Sequence, residues 1–307
     1  MGKKAIITIS FNVILLTLIM FFSFTIASVV SGVSKAPTGA EAPSVDARES
    51  LIALLVVCLL ETAVLTYVIL RSRWTGWKLA GAVFLAYYGL STVVAQIDSI
   101  IYLPRHLPPG FVTKIFIMGA ITAALFSPLA VLILGKMRRE FIPPEPNRQL
   151  AMPPGEWAWK LAVIAVAFAI VYFTFGYFVA WKNPAVQKYY GGTDAGNFFA
   201  QMAWIGEKTP WMFALQAFRG VLWAAFALPV IRMLKGRPWE VALATALLFA
   251  VWSSMLLLPN PYMPAEIRKM HLIETASEDF IFGWLVGWLL CRHHWSLRDL
   301  FGWSEGR

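Results

Sequence analysis

Apolar residues run along this chain in long unbroken blocks, without the alternation of a half-buried strand or the narrow stripe of a soluble helix. Eight blocks stand out, at roughly 5–31, 51–70, 77–103, 112–135, 157–181, 212–234, 239–258 and 270–291. A helix needs ~20 mostly apolar residues to cross a hydrocarbon core ~30 Å thick. Only helices and closed barrels satisfy their backbone polar groups inside lipid. The pattern therefore predicts an all-α polytopic bundle of about eight transmembrane helices.

The eighth block departs from the pattern. In "HLIETASEDFIFGWLVGWLLCR" only 280–291 is continuously apolar, which gives ~18 Å of helix at ~1.5 Å per residue. The shortfall against the bilayer core is about eight residues. Making it up draws His271, Glu274, Glu278 and Asp279 into the helix. Pro264 followed by Glu266 suits a helix start, so the helix is expected to begin between Pro264 and Met270. Positions 271, 274 and 278 lie on one helical face. That face must meet protein or a water-filled cavity, because polar groups on one stripe cost too much in hydrocarbon. The competing expectation is that Glu278 and Asp279 form a solvated turn at headgroup level.

The segment "EFIPPEPNRQLAMPPGE" is the clearest break, since its prolines favour extended backbone. It divides the chain into a four-helix membrane half (1–139), a Pro-rich cytoplasmic linker (140–156) and a second four-helix half with a short cytoplasmic tail (157–307). The halves resemble each other faintly. "RSRWTGWKLAGAVFLAYYGLS" runs parallel to "LKGRPWEVALATALLFAVWSS", each a basic turn, a Trp and a span. Four helices per half would make any repeat parallel, not inverted. "GWLVG" (Gly283, Gly287) has the small-residue spacing of close helix packing. Pro128 and Pro229 fall inside spans, where they are expected to kink.

Composition agrees with a membrane protein. The chain is 59% hydrophobic and 14% charged, against ~25% charged in soluble domains. The net charge of +9 comes from basic loops rather than from a nucleic-acid surface. With the N-terminus inside, sixteen of the 26 Lys and Arg fall in cytoplasmic segments, nine in outer ones, and Arg219 in a span. Both termini are thus expected in the cytoplasm, in the plasma (inner) membrane. Fourteen tryptophans, many at span ends, fit interfacial belts. The first block is longer than the ~7–15 residues of a signal h-region, which points to a retained anchor; "SGVSKA" is the alternative, a cleavage site. Cys58 and Cys291 suggest neither a disulfide framework nor a zinc site.

Chemistry-bearing residues inside spans are functional candidates by default. Glu61 lies halfway along the second block. Asp98 lies near the outer end of the third, with Tyr87 and Ser91 on its face and Gln96 beside it. Arg219 sits in the sixth, one turn from Gln216. With His271, Glu274 and Glu278 these form a candidate set for ligand binding or proton relay in an outer pocket. Arg219 is expected to pair with Glu61 or Glu274. A zinc site from His106, His271 and Glu274, with Asp98 nearby, is the metal alternative, though "HLIE" is not "HExxH". The bland alternative is that an Arg–Glu pair simply locks helices together. His293 and His294 are expected at phospholipid headgroups, and "SLRDLFGW" as a short interfacial helix. In "YYGGTDAGNFF" no strand precedes the glycines, so it is a loop. Phe198, Phe199, Met202 and Ile205 after it fit one apolar face that would roof the pocket.

No nucleotide loop, haem signature or serine elbow is present, and no cofactor is implied. Three functions remain open. The first is binding or moving a small or amphiphilic molecule, including a lipid, at the outer pocket. The second is an intramembrane hydrolase with Glu274 or Asp98 as base. The third is a scaffold or accessory subunit stapled by its charges.

Overall fold

The structure is a computed structural model that describes residues 3–35, 46–138 and 152–294. Most of the linker (140–151), the segment "SLRDLFGW" and the interior of the first outer loop lie outside the described residues. The chain is all-helical among the described residues, apart from turns and one isolated β-bridge. The first two spans are α1 (Lys3–Ser31) and α2 (Ala47–Leu70). The third is α3 (Gly76–Tyr88), a π-helical segment (Gly89–Val94) and α4 (Ala95–Tyr102). The fourth is α5 (Phe111–Ile133). The fifth is α6 (Pro154–Phe175), extended by a second π-helical segment (Gly176–Trp181). Two short helices follow, α7 (Pro184–Tyr190) and α8 (Phe198–Lys208). The sixth span is α9 (Trp211–Met233). The seventh is α10 (Pro238–Ala250) with a 3₁₀ extension (Val251–Leu257), and the eighth is α11 (Ala265–Leu290).

Seven of these spans are long and apolar enough to cross a membrane. The eighth, α11, has 26 residues, or ~39 Å at ~1.5 Å per residue. It starts at Ala265 after Pro264, where the sequence places it. Three acids around its middle, Glu274, Glu278 and Asp279, keep it from reading as a simple apolar span. All three are buried against the rest of the bundle. Glu278 and Asp279, at 5% and 6% exposure, are therefore not a solvated turn. The faces turned outward are apolar, as lipid requires: Ile7, Phe11, Ile14 and Phe22 on α1, Val166 and Ile170 on α6, Ile273 and Ile281 on α11. The protein is an integral membrane helix bundle.

Small residues decide the tightest packing. A Cβ on Gly283 would stand 2.8 Å from the Ala246 Cα, and one on Gly287 2.8 Å from the Ala242 Cα. α11 thus lies backbone to backbone on α10, the arrangement that "GWLVG" predicts. Pro128 and Pro229 sit inside α5 and α9, which continue through them. Pro154 begins α6 three residues earlier than the apolar block, because proline is favoured in a helix's first turn.

The main hydrophobic core runs from Leu16 and Met20 through Phe126, Phe168 and Phe249 to Leu290, crossing both halves of the chain, and a small second cluster gathers Ala180, Val186 and Ile267. In the first half the first span packs on the second and fourth, and the third on the fourth. In the second half the fifth packs on the sixth and eighth, and the seventh on the eighth. Between halves, the second span meets the seventh and the third meets the sixth. The two basic turns that resemble each other in sequence touch. Ser72 and Leu234 form an antiparallel bridge, flanked by Arg73 N donating to Met233 O (2.6 Å) and Lys235 N to Arg71 O (2.8 Å).

Candidate functional site

Three helix irregularities converge at the end of the bundle that carries α7 and α8. α-Helical hydrogen bonding gives way to the π-helical segment at Gly89, to the second π-helical segment at Gly176, and to the 3₁₀ extension at Val251. Such departures are frequent at functional sites. Here the first π-helical segment and the 3₁₀ extension line a cavity of about 340 Å³, and the second π-helical segment lines a neighbouring one. The first cavity's lining includes Glu61 of α2, Tyr87, Ser91, Thr92, Gln96 and Asp98 of the third span, and Arg219 and Trp223 of α9. Trp252 and Ser253 come from the 3₁₀ extension, and His271, Glu274, Thr275, Glu278 and Asp279 from α11. A second cavity of about 750 Å³ lies beneath α7 and α8 and shares Tyr102, Tyr172, Tyr190, His271 and Glu274 with the first.

Arg219 organises the first cavity. Its Nη2 donates to Asp98 Oδ2 at 2.5 Å, and Nη1 donates to Gln216 Oε1 at 2.8 Å. The guanidinium also lies 5.4 Å and 5.5 Å from the ring centres of Phe168 and Tyr172, a cation–π arrangement. The expected partner, Glu61 or Glu274, is thus replaced by Asp98. Two other contacts explain this. Glu274 Oε2 accepts from His271 Nδ1 at 2.6 Å, and Glu61 faces the Tyr87 hydroxyl at 3.5 Å. Asp98 stands on α4, across the contact of the third and sixth spans.

Tyrosine hydroxyls extend these groups into two hydrogen-bonded sets that meet where the Tyr102 and Tyr190 rings lie 6.4 Å apart. Gln216 Nε2 donates to Tyr102 OH at 3.4 Å, and Tyr172 OH donates to Tyr102 OH at 2.8 Å. In the neutral His271 ring, the Glu274 acceptor places the proton on Nδ1. Nε2 then accepts from the Tyr190 hydroxyl at 2.9 Å. Burial pushes Tyr190, on α7, well above the ordinary phenol range, and Tyr189 up to about 12, so both remain neutral donors. At the inner end, Tyr87 stacks on Trp252 at 5.0 Å with an interplanar angle of 11°. Ser253 donates to Asp279 Oδ2 at a long 3.5 Å.

Several buried polar atoms facing this space have no protein partner: Gln96 Oε1, Asp98 Oδ1, Arg219 Nε, Trp223 Nε1, Trp252 Nε1 and Glu278 Oε2. The candidates Glu61, Gln96, Asp98, Arg219, His271, Glu274 and Glu278 are all brought to one cavity. His106 is not brought into that set. It stacks on Tyr189 at 4.3 Å over the second cavity. His106, His271 and Glu274 all line the second cavity, and among the described residues no group of three or more His, Cys, Asp or Glu is placed to hold a metal ion. The sequence places Asp279 in the eighth helix but not among the site candidates, and it does not single out Tyr102, Tyr172, Tyr190, Trp223 and Trp252. The signal available was tyrosine or tryptophan away from span ends, which composition alone does not separate from packing.

α8 covers the second cavity through Gln201, Met202 and Ile205. Phe199 does not share that face and is 81% exposed, whereas Phe198 stacks on Phe178 at 5.5 Å. One helical step of ~100° separates the two rings. A salt bridge holds the loop before α8: Lys182 Nζ reaches Asp194 Oδ2 at 2.7 Å. The Lys182 hydrogen bond lowers Asp194's carboxyl below its usual range, and Asp194 raises Lys182.

A second buried cluster closes the opposite end. Lys160 Nζ, fully buried, pairs with Glu156 Oε1 at 2.7 Å and donates to Arg292 O at 2.7 Å. His294 N donates to Glu156 Oε1 at 2.8 Å, and His293 Nδ1 reaches Oε2 at 2.7 Å. His294 is 4% exposed. The two histidines therefore tie the end of α11 to the start of α6, instead of facing headgroups as expected. No family model, curated protein or solved structure matches this chain.

Proposed function

We propose that this membrane protein binds, and moves across the bilayer, a small or amphiphilic molecule at a polar pocket open to the outside. The observation that carries the reading is the convergence of seven sequence candidates on one cavity of about 340 Å³. Intramembrane ionisable groups facing a cavity are typical of solute and proton pathways. A scaffold role asks for a dry, fully paired cluster. Glu278 Oε2, Asp98 Oδ1 and Arg219 Nε lack protein partners here, which weighs against it.

The cavity end carries the less basic loops, so the charge bias puts it outside and both termini in the cytoplasm of a plasma (inner) membrane. The two halves read as parallel repeats around an axis along the membrane normal. The matching helix contacts within each half, and the exchange of second-with-seventh for sixth-with-third between them, support that relation. Parallel repeats with a midplane site are a known transporter plan. The test uses a single cysteine at Ser253, which lines the cavity. Labelling by an impermeant thiol reagent from outside in whole cells, and from inside in inverted vesicles, is the result expected of a translocating pocket. Labelling from neither side removes the reading.

A second reading is favoured by one observation. His271 lies 2.6 Å from Glu274, within reach for general base chemistry. Its other nitrogen meets Tyr190, not a serine or cysteine nucleophile, so a hydrolase would have to activate water. Loss of solute binding without hydrolytic activity in His271→Gln separates the two.

A further inference from the structure

We infer that the pocket takes an organic cation, a protonated or quaternary amine on an apolar body. This rests on the pocket reading above and names its ligand class. Five carboxyl groups line the cavity and only one guanidinium, which is committed to Asp98. Glu274 has His271. Glu61, Glu278 and Asp279 are left with no ion-pair partner of their own, since Arg219, whose charge also reaches Glu278 and Asp279, is held by Asp98: Glu61 and Asp279 meet hydroxyls at 3.5 Å, and Glu278 Oε2 meets no protein partner at all. Glu278 is 95% buried by its 5% exposure, and it lines the cavity.

A buried carboxyl with no partner either keeps its proton or takes a counter-cation, and a bound cation is what allows it to ionise. An anion would meet more acids than bases. A neutral polar molecule would leave Glu278 without a counter-charge. A bare metal ion finds no group of three suitable ligands among the described residues. The rest of the wall is mainly apolar and aromatic, with Leu90 and Met118 beside the stacked Tyr87–Trp252 pair, and also carries hydroxyls from Ser91, Thr92, Ser99, Thr122, Ser253 and Thr275. Aromatic faces attract ammonium groups, more strongly when desolvated. Charge at one end and apolar wall around it describe an amphipathic amine.

The experiment uses full-length protein in nanodiscs and three ligands of one shape: phenethylamine as cation, 2-phenylethanol as neutral form and 3-phenylpropionate as anion. Calorimetry, with empty nanodiscs subtracted, is expected to show the amine binding at least about tenfold more tightly than the alcohol, with no heat from the acid. Glu278→Gln is expected to bring the amine down to the alcohol's affinity. The three-ligand comparison on the unaltered protein stands even where that variant fails to fold. Equal binding of amine and alcohol, preference for the acid, no binding of any of the three, or an unchanged amine affinity in a folded Glu278→Gln protein overturns the cation assignment. A cysteine at Thr275, also in the lining, separates the two levels. If it is labelled from outside while the amine does not bind, the pocket stands and the cation falls. If it is not labelled and nothing binds, both fall.

Discussion

Arg219 on α9 grips Asp98 on α4 at 2.5 Å, so the strongest polar contact of the cavity bridges the two halves of the chain. The Arg219 side chain is 5% exposed and that of Asp98 41%. Removing one member of a fully desolvated pair costs about 3–5 kcal/mol. The partial exposure of Asp98 places Arg219→Leu at about 3 kcal/mol or slightly below. Replacing both residues with leucine is expected to be milder than Arg219→Leu alone. A double-mutant cycle on unfolding in detergent measures this, and additive losses would rule out direct coupling.

Lys160 and Glu156 form the more enclosed pair, with side chains 0% and 3% exposed. Lys160→Met takes the ammonium from Glu156, leaving it only His293 and the His294 N–H, and removes the donor to Arg292 O. It is expected to cost more than Arg219→Leu, near the upper end of about 3–5 kcal/mol. Glu156→Gln is expected to loosen His293 and His294, visible as faster amide exchange at 292–294.

The α10–α11 contact leaves no room for a side chain at Gly283 or Gly287. Gly283→Ala is expected to destabilise by about 1–3 kcal/mol, the range for overpacking, although alanine favours helix. A stabilised Gly283→Ala protein in thermal unfolding would show that the helices stand further apart.

The Lys182–Asp194 latch has a defined pH window. Asp194 is depressed, so its contribution is present above the ordinary aspartate pKa of about 4 and is lost as pH falls below it. Lys182 is raised, so its contribution is whole below about 10 and is lost only at higher pH. Amide exchange over 191–197, corrected for intrinsic rates, is expected to stay flat from pH 5 to 9 and to accelerate under acid. An Asp194→Asn protein is expected to lack that acid step.

Much of the fold was legible because lipid forces long apolar helices, and proline and glycine mark their ends. Pro264 marked the start of α11, and Gly283 and Gly287 marked its closest neighbour. The candidate residues were legible for the same reason, since a charge at membrane depth needs an explanation. Partner choice was not legible. Arg219 takes Asp98 rather than Glu274 because His271, one turn earlier on the same helix, claims Glu274 first. Distances between helices decide such pairings, and hydropathy carries none of them. The tyrosines that extend the groups look like ordinary span residues, and the fold of His293 and His294 back onto Glu156 depends on α6 and α11 ending side by side.

The most direct measurement is a cysteine scan along α11, with the native Cys58 and Cys291 both buried. His271, Glu274, Thr275 and Glu278 line the cavity, whereas Ile273 and Ile281 are 45% and 48% exposed on the outer face. Cysteines at 271, 274, 275 and 278 are predicted to react with an impermeant thiol reagent added outside intact cells. Cysteines at 273 and 281 are predicted to react only with a lipid-soluble reagent. The reverse pattern, with 274 and 278 reached only from lipid, would contradict a water-accessible pocket on the charged face of α11.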